Sequence, residues 1–467
     1  MRVASGSAEA QPVMITRIEI DGYKTLRRAW LDLEPFQAII GPNDAGKSNL
    51  VDAILLLSRL ADGDLSTATA AGRGGGGDLF SFDVDGVQGE RMLFAVEMLV
   101  APMVEDGWGR SAEIRYTRMR YEIEIARREE PGRLAVTHEA LLPIQRSDDT
   151  WGRRNIGRGR DRWLPTLRTG RTAPFISTTH GYSRSSSVLL HQDGRGGGMA
   201  TAAHEAERSV LSTIANTEFP HAFAAREEMS SWRSLRLVPE AIIRNGRTQG
   251  ASGAISSEGG NLAGALTRMD WAEPGSVARV GADLAKIVPS FEGLAIEEEA
   301  ARRVTRLVAI GRDGRRRPLS TLPGGAVRAM ALATLAHDPD ARGVICLDEP
   351  EAGFDPMTLR RAVPVLLSIP TDLNSSDTRP LRQLIVTSSS PGFLQEVVRH
   401  LTASSELPIH ELGGVLVALR DHDGATWFHP LRPSQQLELG LNLDDDEGTI
   451  TLADAVRTLT AEMAVGR

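Results

Sequence analysis

The chain has 467 residues, 41% hydrophobic and 24% charged, with 53 Lys and Arg against 61 Asp and Glu for a formal charge of −8. That length exceeds one simple core and predicts two lobes, or one domain with large insertions. The acidic balance excludes a wholly basic nucleic-acid binder but leaves room for a local basic patch.

The first residues, MRVASGSAEAQPVM, lack the apolar core of a secretory signal, so residues 1–14 read as a loose leader with Met14 as an alternative start. Residues 15–34 alternate as two strands around Gly22-Tyr23-Lys24, and Ala38-Ile39-Ile40 is a short apolar strand. Leu50, Ile54, Leu57 and Leu60 have helical spacing over 49–60. Residues 61–78 read as a Gly-rich loop, and 92–142 as β-structure with strands over 92–100, 116–126 and 134–138. Residues 143–200 show little regular pattern and read as an insertion. Residues 201–244 are partly helical, 245–260 form a Gly/Ser linker, and helices are expected over 262–287. Residues 294–298 and 306–311 suit a hairpin closed near Arg312-Asp313-Gly314. The last third alternates helices (326–336, 357–367, 392–400) with strands (343–347, 383–386, 416–419, 426–429), which predicts a mostly parallel sheet covered by helices. The single cysteine, Cys346, lies among Val344, Ile345 and Leu347 and reads as a buried strand residue. No stretch is apolar for long enough to span a bilayer, so the cytoplasm is the expected location.

Two motifs carry chemistry. Gly41-Pro42-Asn43-Asp44-Ala45-Gly46-Lys47-Ser48 is G-x-x-x-x-G-K-S between a strand and a helix. Its glycines allow a tight loop whose N–H groups face phosphates, and the helix beginning near Asn49 adds the positive end of its dipole. Lys47 is expected to reach the β- and γ-phosphates of ATP, and Ser48 to bind Mg²⁺. The second motif is the apolar strand 344–347 ending in Asp348-Glu349-Pro350-Glu351. Asp348 is expected in the Mg²⁺ shell, and Glu349 to polarise the attacking water.

With these residues the chain resembles the RecF/SMC-like and OLD-like predicted ATPases, the AAA-family ATPases of the ABC class. Residues 20–26 look like the family's "NFRSL" turn, and 41–49 like "GPNGAGKSN". Residues 260–263 resemble "G-x-NLA", and 322–328 stand where the family has "LSDGTLR". Residues 348–356 resemble "DEPExGLHP", Walker B plus D-loop, and 384–391 the "VTTHSP" switch. The resemblance covers 15–60 and 255–400, is loose in the β-lobe and absent over 143–200. It implies nucleotide contacts from Gly324 and Gly325 of the signature, Asp355 of the D-loop and Ser389 of the switch. Two departures bear on rate: Pro323 replaces the signature Ser, and Ser389 replaces the switch His. Gln88 is a weak match for a Q-loop glutamine and reads better as a turn residue.

Two further constellations leave alternatives open, and two more read as plain charged surface. Arg153, Arg154, Arg158, Arg160, Arg162, Arg168 and Arg171, interleaved with Trp151 and Trp163, read either as a solvated insertion or as an arm for phosphates and stacked bases. Asp421-His422-Asp423-Gly424 reads as a hairpin turn, with a nuclease metal site as the alternative. Arg315-Arg316-Arg317 reads as a charged hairpin edge, and residues 444–447 as a solvated acidic face.

The expected fold is α/β: an ABC-type P-loop ATPase head with a parallel sheet core, an antiparallel β-lobe and a helical or irregular insertion. Its divisions are the leader 1–14, the first half of the head at 15–142, the insertion at 143–260 and the second half at 261–467. The expected function is an ATP-driven switch, working as an ATP-dependent homodimer or higher oligomer away from membranes. It would act on DNA or on a nuclease or other effector protein, in DNA repair or in defence against foreign DNA. The alternative is an ATP-sensing regulator that hydrolyses very slowly and controls a partner effector.

Overall fold

The computed structural model describes residues 14–465 except 75–76, 129–132, 158–162, 165–170, 181–185, 192–198, 203–205, 249, 300–303, 374–380, 404–412 and 433–448. Residues 1–13 of the expected leader, the acidic run at 444–447 and Arg158, Arg160, Arg162 and Arg168 lie outside the described residues, while Met14, the last leader residue, opens the first strand and is buried.

The N-terminal part builds two sheets at once. β1 (Met14–Asp21) and β2 (Ala29–Asp32) pair antiparallel, with Ile18 opposite Leu31. β3 (Phe36–Ile40) leaves them and is buried along its whole length, as a strand covered on both faces must be. α1 (Lys47–Asp62) follows the phosphate loop, burying Leu50, Ile54 and Leu57 along one face. α2 (Leu65–Ala70) starts where the Asp64 side chain accepts from the Thr67 N–H. Then come β4 (Arg91–Leu99), a small hairpin of β5 (Met103–Glu105) and β6 (Ser111–Glu113), β7 (Arg118–Arg127), β8 (Leu134–Pro143), α3 (Thr150–Asn155), β9 (Ile176–His180), β10 (Ser186–Leu190) and β11 (Met199–Ala202).

Among the described residues these strands form an eight-stranded antiparallel sheet in the order β11-β10-β9-β8-β7-β4-β1-β2. β4, β7 and β8 lie where alternation predicts them. β9 to β11 do not: residues 143–200 read as an irregular insertion, yet they extend this sheet. Their Ser- and Thr-rich segments gain strand form from the edge of β8, where Leu141 faces Ile176, rather than from a hydrophobic pattern of their own.

The middle of the chain supplies α4 (Pro220–Ser231), β12 (Arg233–Leu235), α5 (Pro239–Arg244), β13 (Arg247–Thr248), α6 (Leu262–Ala272) and α7 (Ser276–Ile287). β14 (Phe291–Glu299) and β15 (Val304–Gly311) form the expected antiparallel pair, Leu294 opposite Ala309. The Arg312–Gly314 turn, however, closes β15 onto β16 (Arg316–Pro318), not onto β14. Arg316 and Arg317 pair with Glu297 and Asp313, which makes this the charged edge that the sequence suggested.

The remaining elements are α8 (Gly324–His337), β17 (Gly343–Asp348), α9 (Pro356–Leu367), β18 (Arg382–Ser388), α10 (Pro391–Ala403), β19 (Val415–Arg420), β20 (Thr426–Arg432), β21 (Ile450–Thr451) and α11 (Leu452–Val465). They form a second sheet of order β12-β17-β18-β3-β19-β20-β21, parallel from β12 to β19. β3 therefore sits between two strands from the far end of the chain.

Period-two alternation in these parallel strands feeds two cores. Ile39, Val344, Cys346 and Ile385 face the core shared with α1, α4 and the antiparallel sheet. Ala38, Ile40, Ile345, Leu347, Leu384 and Val386 face the core shared with α6 to α10. A buried amide ties the ends together: Gln383 on β18 accepts from the Ile15 N–H at 2.9 Å and donates to the Ile15 carbonyl at 2.7 Å. Cys346 is buried as expected, and burial pushes its thiol up to about 12. Among the described residues no helix is long and apolar enough to cross a membrane.

Candidate functional site

The Gly41–Ser48 loop joins β3 to α1. Gly46 stands just before the helix at φ +92°, where an L side chain is strained. A Cβ there would fall 2.0 Å from Thr426 Oγ1, so only glycine fits. Asp44 also lies in the left-handed region, at φ +67°, which Asp tolerates better than most residues. The Lys47 ammonium donates to the Gly41 and Pro42 carbonyls at 2.6 and 2.5 Å, along the rim of the loop. The first turn of α1 leaves backbone N–H groups without intrahelical acceptors, beside the positive end of the helix dipole. Loop, cation and helix end thus suit a polyphosphate. Asn49 donates to Thr25 Oγ1 at 2.8 Å, and this hydroxyl lies against Gly46 of the loop.

The acidic turn lies at the carboxyl end of the same sheet. β18 runs between β3 and β17, with Asp348 beside Thr387 and Ser388 beside Ile40. Three consecutive hydroxyls on β18 and the turn after it hold three carboxylates. Thr387 donates to Asp348 Oδ1 at 2.6 Å, Ser388 donates to Glu351, and Ser389 donates to Glu349 Oε1 at 3.2 Å. Glu349 has φ +43°, uncommon for a residue with a side chain, and its N–H bonds the Thr387 carbonyl at 3.0 Å. Burial pushes Glu351 up to about 7, with the Ser388 hydroxyl opposing and the Glu349 and Asp348 charges adding to the rise. Ser389 thus lies beside the acidic turn. Glu351, Thr387 and Ser388 had no expected role; the signal was the Thr-Ser-Ser-Ser run opposite Asp-Glu-Pro-Glu.

The segment resembling the signature opens α8, with Pro323 as the residue before it and no side-chain cap. Gly325 packs on the turn after the acidic strand, where a Cβ would fall 2.7 Å from the Gly353 carbonyl oxygen, while Gly324 lies against Pro239. Arg328, one turn on, donates to the Leu237 carbonyl at 3.1 Å, and burial lowers its pKa against the raising fields of Glu240, Glu351 and Glu349. Asp355 caps α9, accepting from the Met357 and Thr358 N–H groups at 2.9 and 3.1 Å, and the Thr358 hydroxyl helps hold its carboxyl below the usual range.

The Arg/Trp segment requires a correction. Trp151 and Trp163 are 3% and 1% exposed, packed with Met14, Leu99, Ile156, Leu373 and Leu381, so neither ring is offered to a base. The Trp151 indole donates to the Leu33 carbonyl at 2.8 Å, and the Arg118 guanidinium lies over its ring while gripping Asp149. Arg153 and Arg154 bond the Arg146 carbonyl and Glu34. Asp421 accepts from the Asp423 and Ala425 N–H groups, which makes 421–424 the hairpin turn between β19 and β20. No cluster of three or more potential metal ligands of the His, Cys, Asp and Glu types occurs among the described residues. Gln88 donates to the Gly77 carbonyl, in a surface turn.

Residues 14–85 match the family model described as an AAA ATPase domain. No curated protein matches the chain. Among solved structures, an SMC head domain from Thermotoga maritima is similar at 12% identity and a TM-score of 0.40, over 89% of this chain and 98% of that one. An Smc head domain from Pyrococcus furiosus with an extended coiled coil, bound to the C-terminal domain of ScpA, is similar at 12% identity and 0.45, over 91% and 98%. One from Pyrococcus yayanosii with a coiled coil and joint is similar at 10% identity and 0.46, over 97% and 100%. At these identities and scores nothing about the activity of this chain follows from them. The family match covers the phosphate loop itself, together with β1 to β3, α1 and α2. Residues 14–85 are thus similar to an AAA ATPase domain, and the parallel sheet around their phosphate loop is completed by strands from the far end of the chain.

Proposed function

We propose that the chain binds ATP with Mg²⁺ on the Gly41–Ser48 loop and hydrolyses it slowly, as a conformational switch. The observation that carries this reading is the junction of the loop and the acidic turn at one end of one sheet, β18 bonding both β3 and β17. The loop N–H groups and Lys47 bind and orient the phosphates. The Ser48 hydroxyl and the Asp348 carboxylate are hard oxygen donors of the kind Mg²⁺ prefers, and Thr387 holds Asp348 in place. Magnesium, when bound, supplies charge neutralisation at the β- and γ-oxygens. Glu349 accepts a proton from the attacking water. Slow turnover follows from the switch position: Ser389 bonds Glu349 and brings no positive charge to the γ-phosphate. Pro323 likewise brings no hydroxyl.

The switch works in the cytoplasm as an ATP-dependent homodimer or higher oligomer. Its output falls on DNA, or on a nuclease or other effector, in genome maintenance or defence, in keeping with the RecF/SMC-like resemblance. Gly324, Gly325 and Asp355 meet the nucleotide of the second copy in this reading. The Ser389–Glu349 bond also favours a second reading, an ATP-sensing regulator that barely turns over and controls a partner effector. Turnover per site separates the two.

The binding step is tested by titrating a fluorescent ATP analogue with Mg²⁺ into the wild type and Lys47→Ala. Loss of the charge-assisted contacts weakens affinity about ten- to hundredfold. Equal affinity in the two proteins overturns the phosphate-loop assignment.

A further inference from the structure

The phosphate loop carries an anion of its own. Asp44 stands at φ +67° with its side chain 87% exposed, inside a loop whose N–H groups suit phosphate. A carboxylate there repels an incoming polyphosphate, because two like charges several ångströms apart at a protein surface interact appreciably. The C-terminal hairpin supplies its counter-charge. Arg420, the last residue of β19, donates from Nη1 to Asp44 Oδ2 at 2.7 Å and from Nε to the Gly424 carbonyl at 3.3 Å. Gly424 belongs to the same hairpin turn, so the guanidinium is braced from behind.

The hairpin is itself fastened to the loop. Thr426 Oγ1 and Thr25 Oγ1 lie 2.7 Å apart, the Thr426 N–H donates to the Thr25 carbonyl at 2.8 Å, and Asn49 of α1 donates to the same Thr25 hydroxyl. Gly46 packs against Thr426, and Gly41 lies against the Ala418 carbonyl of β19. On the other side of the turn, Arg27 donates to the Asp423 carbonyl at 2.7 Å. These contacts hold the hairpin in one place, so Arg420 reaches Asp44 from a fixed backbone rather than as a loose surface arginine. Asp44 and Arg420 are 376 residues apart in sequence, and no motif joins them.

We propose that Arg420 is a positioning residue of the nucleotide site: it neutralises Asp44 and so lets the phosphate loop accept a nucleotide triphosphate. The proposal rests on the reading of Gly41–Ser48 as that site. It makes the β19–β20 hairpin a functional wall of the site, and it makes Arg420 matter only because residue 44 is an aspartate.

The test is a titration of the full chain with a fluorescent ATP analogue and Mg²⁺ at low and moderate salt. The proteins are wild type, Arg420→Ala, Arg420→Lys, Asp44→Asn and the double variant Arg420→Ala/Asp44→Asn. Arg420→Ala weakens binding about fivefold or more at low salt and less at moderate salt, because the interaction is screened. Arg420→Lys keeps most of the affinity. In the Asp44→Asn background, Arg420→Ala no longer weakens binding, a rescue that a merely structural Arg420 would not show. Asn keeps the shape of Asp and tolerates the left-handed backbone, and thermal melts of every variant report on folding. An Arg420→Ala protein that is folded and binds like wild type overturns the proposal. So does a double variant as weak as Arg420→Ala alone. Lys47→Ala is the control for the underlying reading: if it also binds like wild type, the site assignment fails rather than the role of Arg420.

Discussion

The side chain with the most to say about rate is Ser389. It holds the catalytic candidate Glu349 through a 3.2 Å hydrogen bond. A histidine at this position would present a donor able to carry positive charge where negative charge develops on the γ-phosphate. Ser389→His is therefore expected to speed single-turnover hydrolysis at saturating ATP, by about tenfold or more, a fraction of the roughly hundred- to thousandfold lost when such a preorganised donor is removed. An unchanged rate would remove Ser389 from the switch assignment. The same scale shows why Gly46 admits no substitution. It combines a positive φ with the Thr426 hydroxyl at its back, and neither constraint is visible from the loop motif beyond the demand for glycine.

Individual elements hold the site by packing that the sequence displays only in part. Trp151 of α3 packs under the N-terminal strand, with its indole on the Leu33 carbonyl. Trp151→Ala is expected to cost about 3–5 kcal/mol, the range for large-to-small changes in a core, read by urea unfolding. A loss below about 1 kcal/mol would contradict the packing. The helices and parallel strands of the last third were legible because their apolar periods are strong and their lengths ordinary. The Trp151–Arg171 segment was not. Its arginines and glycines mask two tryptophans whose burial depends on residues far off in sequence, Met14 and Leu381 among them. β9 to β11 were illegible for a related reason, since an edge strand borrows its form from the neighbour it pairs with. In the candidate site the two motifs were readable as local strings. The hydroxyl–carboxylate bonds and the Asp44–Arg420 pair were not, because each joins segments that only the sheet order brings together.

The antiparallel sheet also carries a titrating network on its exposed face. Glu122 bonds Arg120 and lies 3.6 Å from His138. The neighbouring His138 imidazole, with Arg120 adding, draws Glu122 down to about 2. Glu122 in turn raises His138 above its ordinary value, helped by Glu124 and Glu139 and opposed by partial burial. The raised histidine contributes stability that is fully present below its unfolded value of about 6.5 and is lost as pH rises through the folded value. The lowered Glu122 contributes stability that is present above its unfolded value of about 4.3 and is lost as pH falls toward about 2. His138→Gln should therefore lower the melting temperature at about pH 5.5 and bring it close to wild type at about pH 9. An equal difference at both pH values would rule out the charge pair as its source.

At the scale of the whole molecule, the site exists only because the two ends of the chain share one sheet. β3 brings the phosphate loop, β17 and β18 bring the carboxylates and hydroxyls, and β19–β20 closes the loop from the side. Gln383 stitches β18 to β1, so movement of the acidic turn is mechanically linked to the antiparallel sheet. In the proposed function this linkage turns nucleotide state into a change of shape. The central claim, that Glu349 acts on ATP held by the Gly41–Ser48 loop, is tested most directly by single-turnover hydrolysis in wild type and Glu349→Gln, with nucleotide affinity measured on the same samples. The amide keeps the shape of the side chain but is a poor base, so Glu349→Gln should bind ATP as tightly as wild type and hydrolyse it about a hundredfold or more slowly. Wild-type turnover in Glu349→Gln would contradict the account.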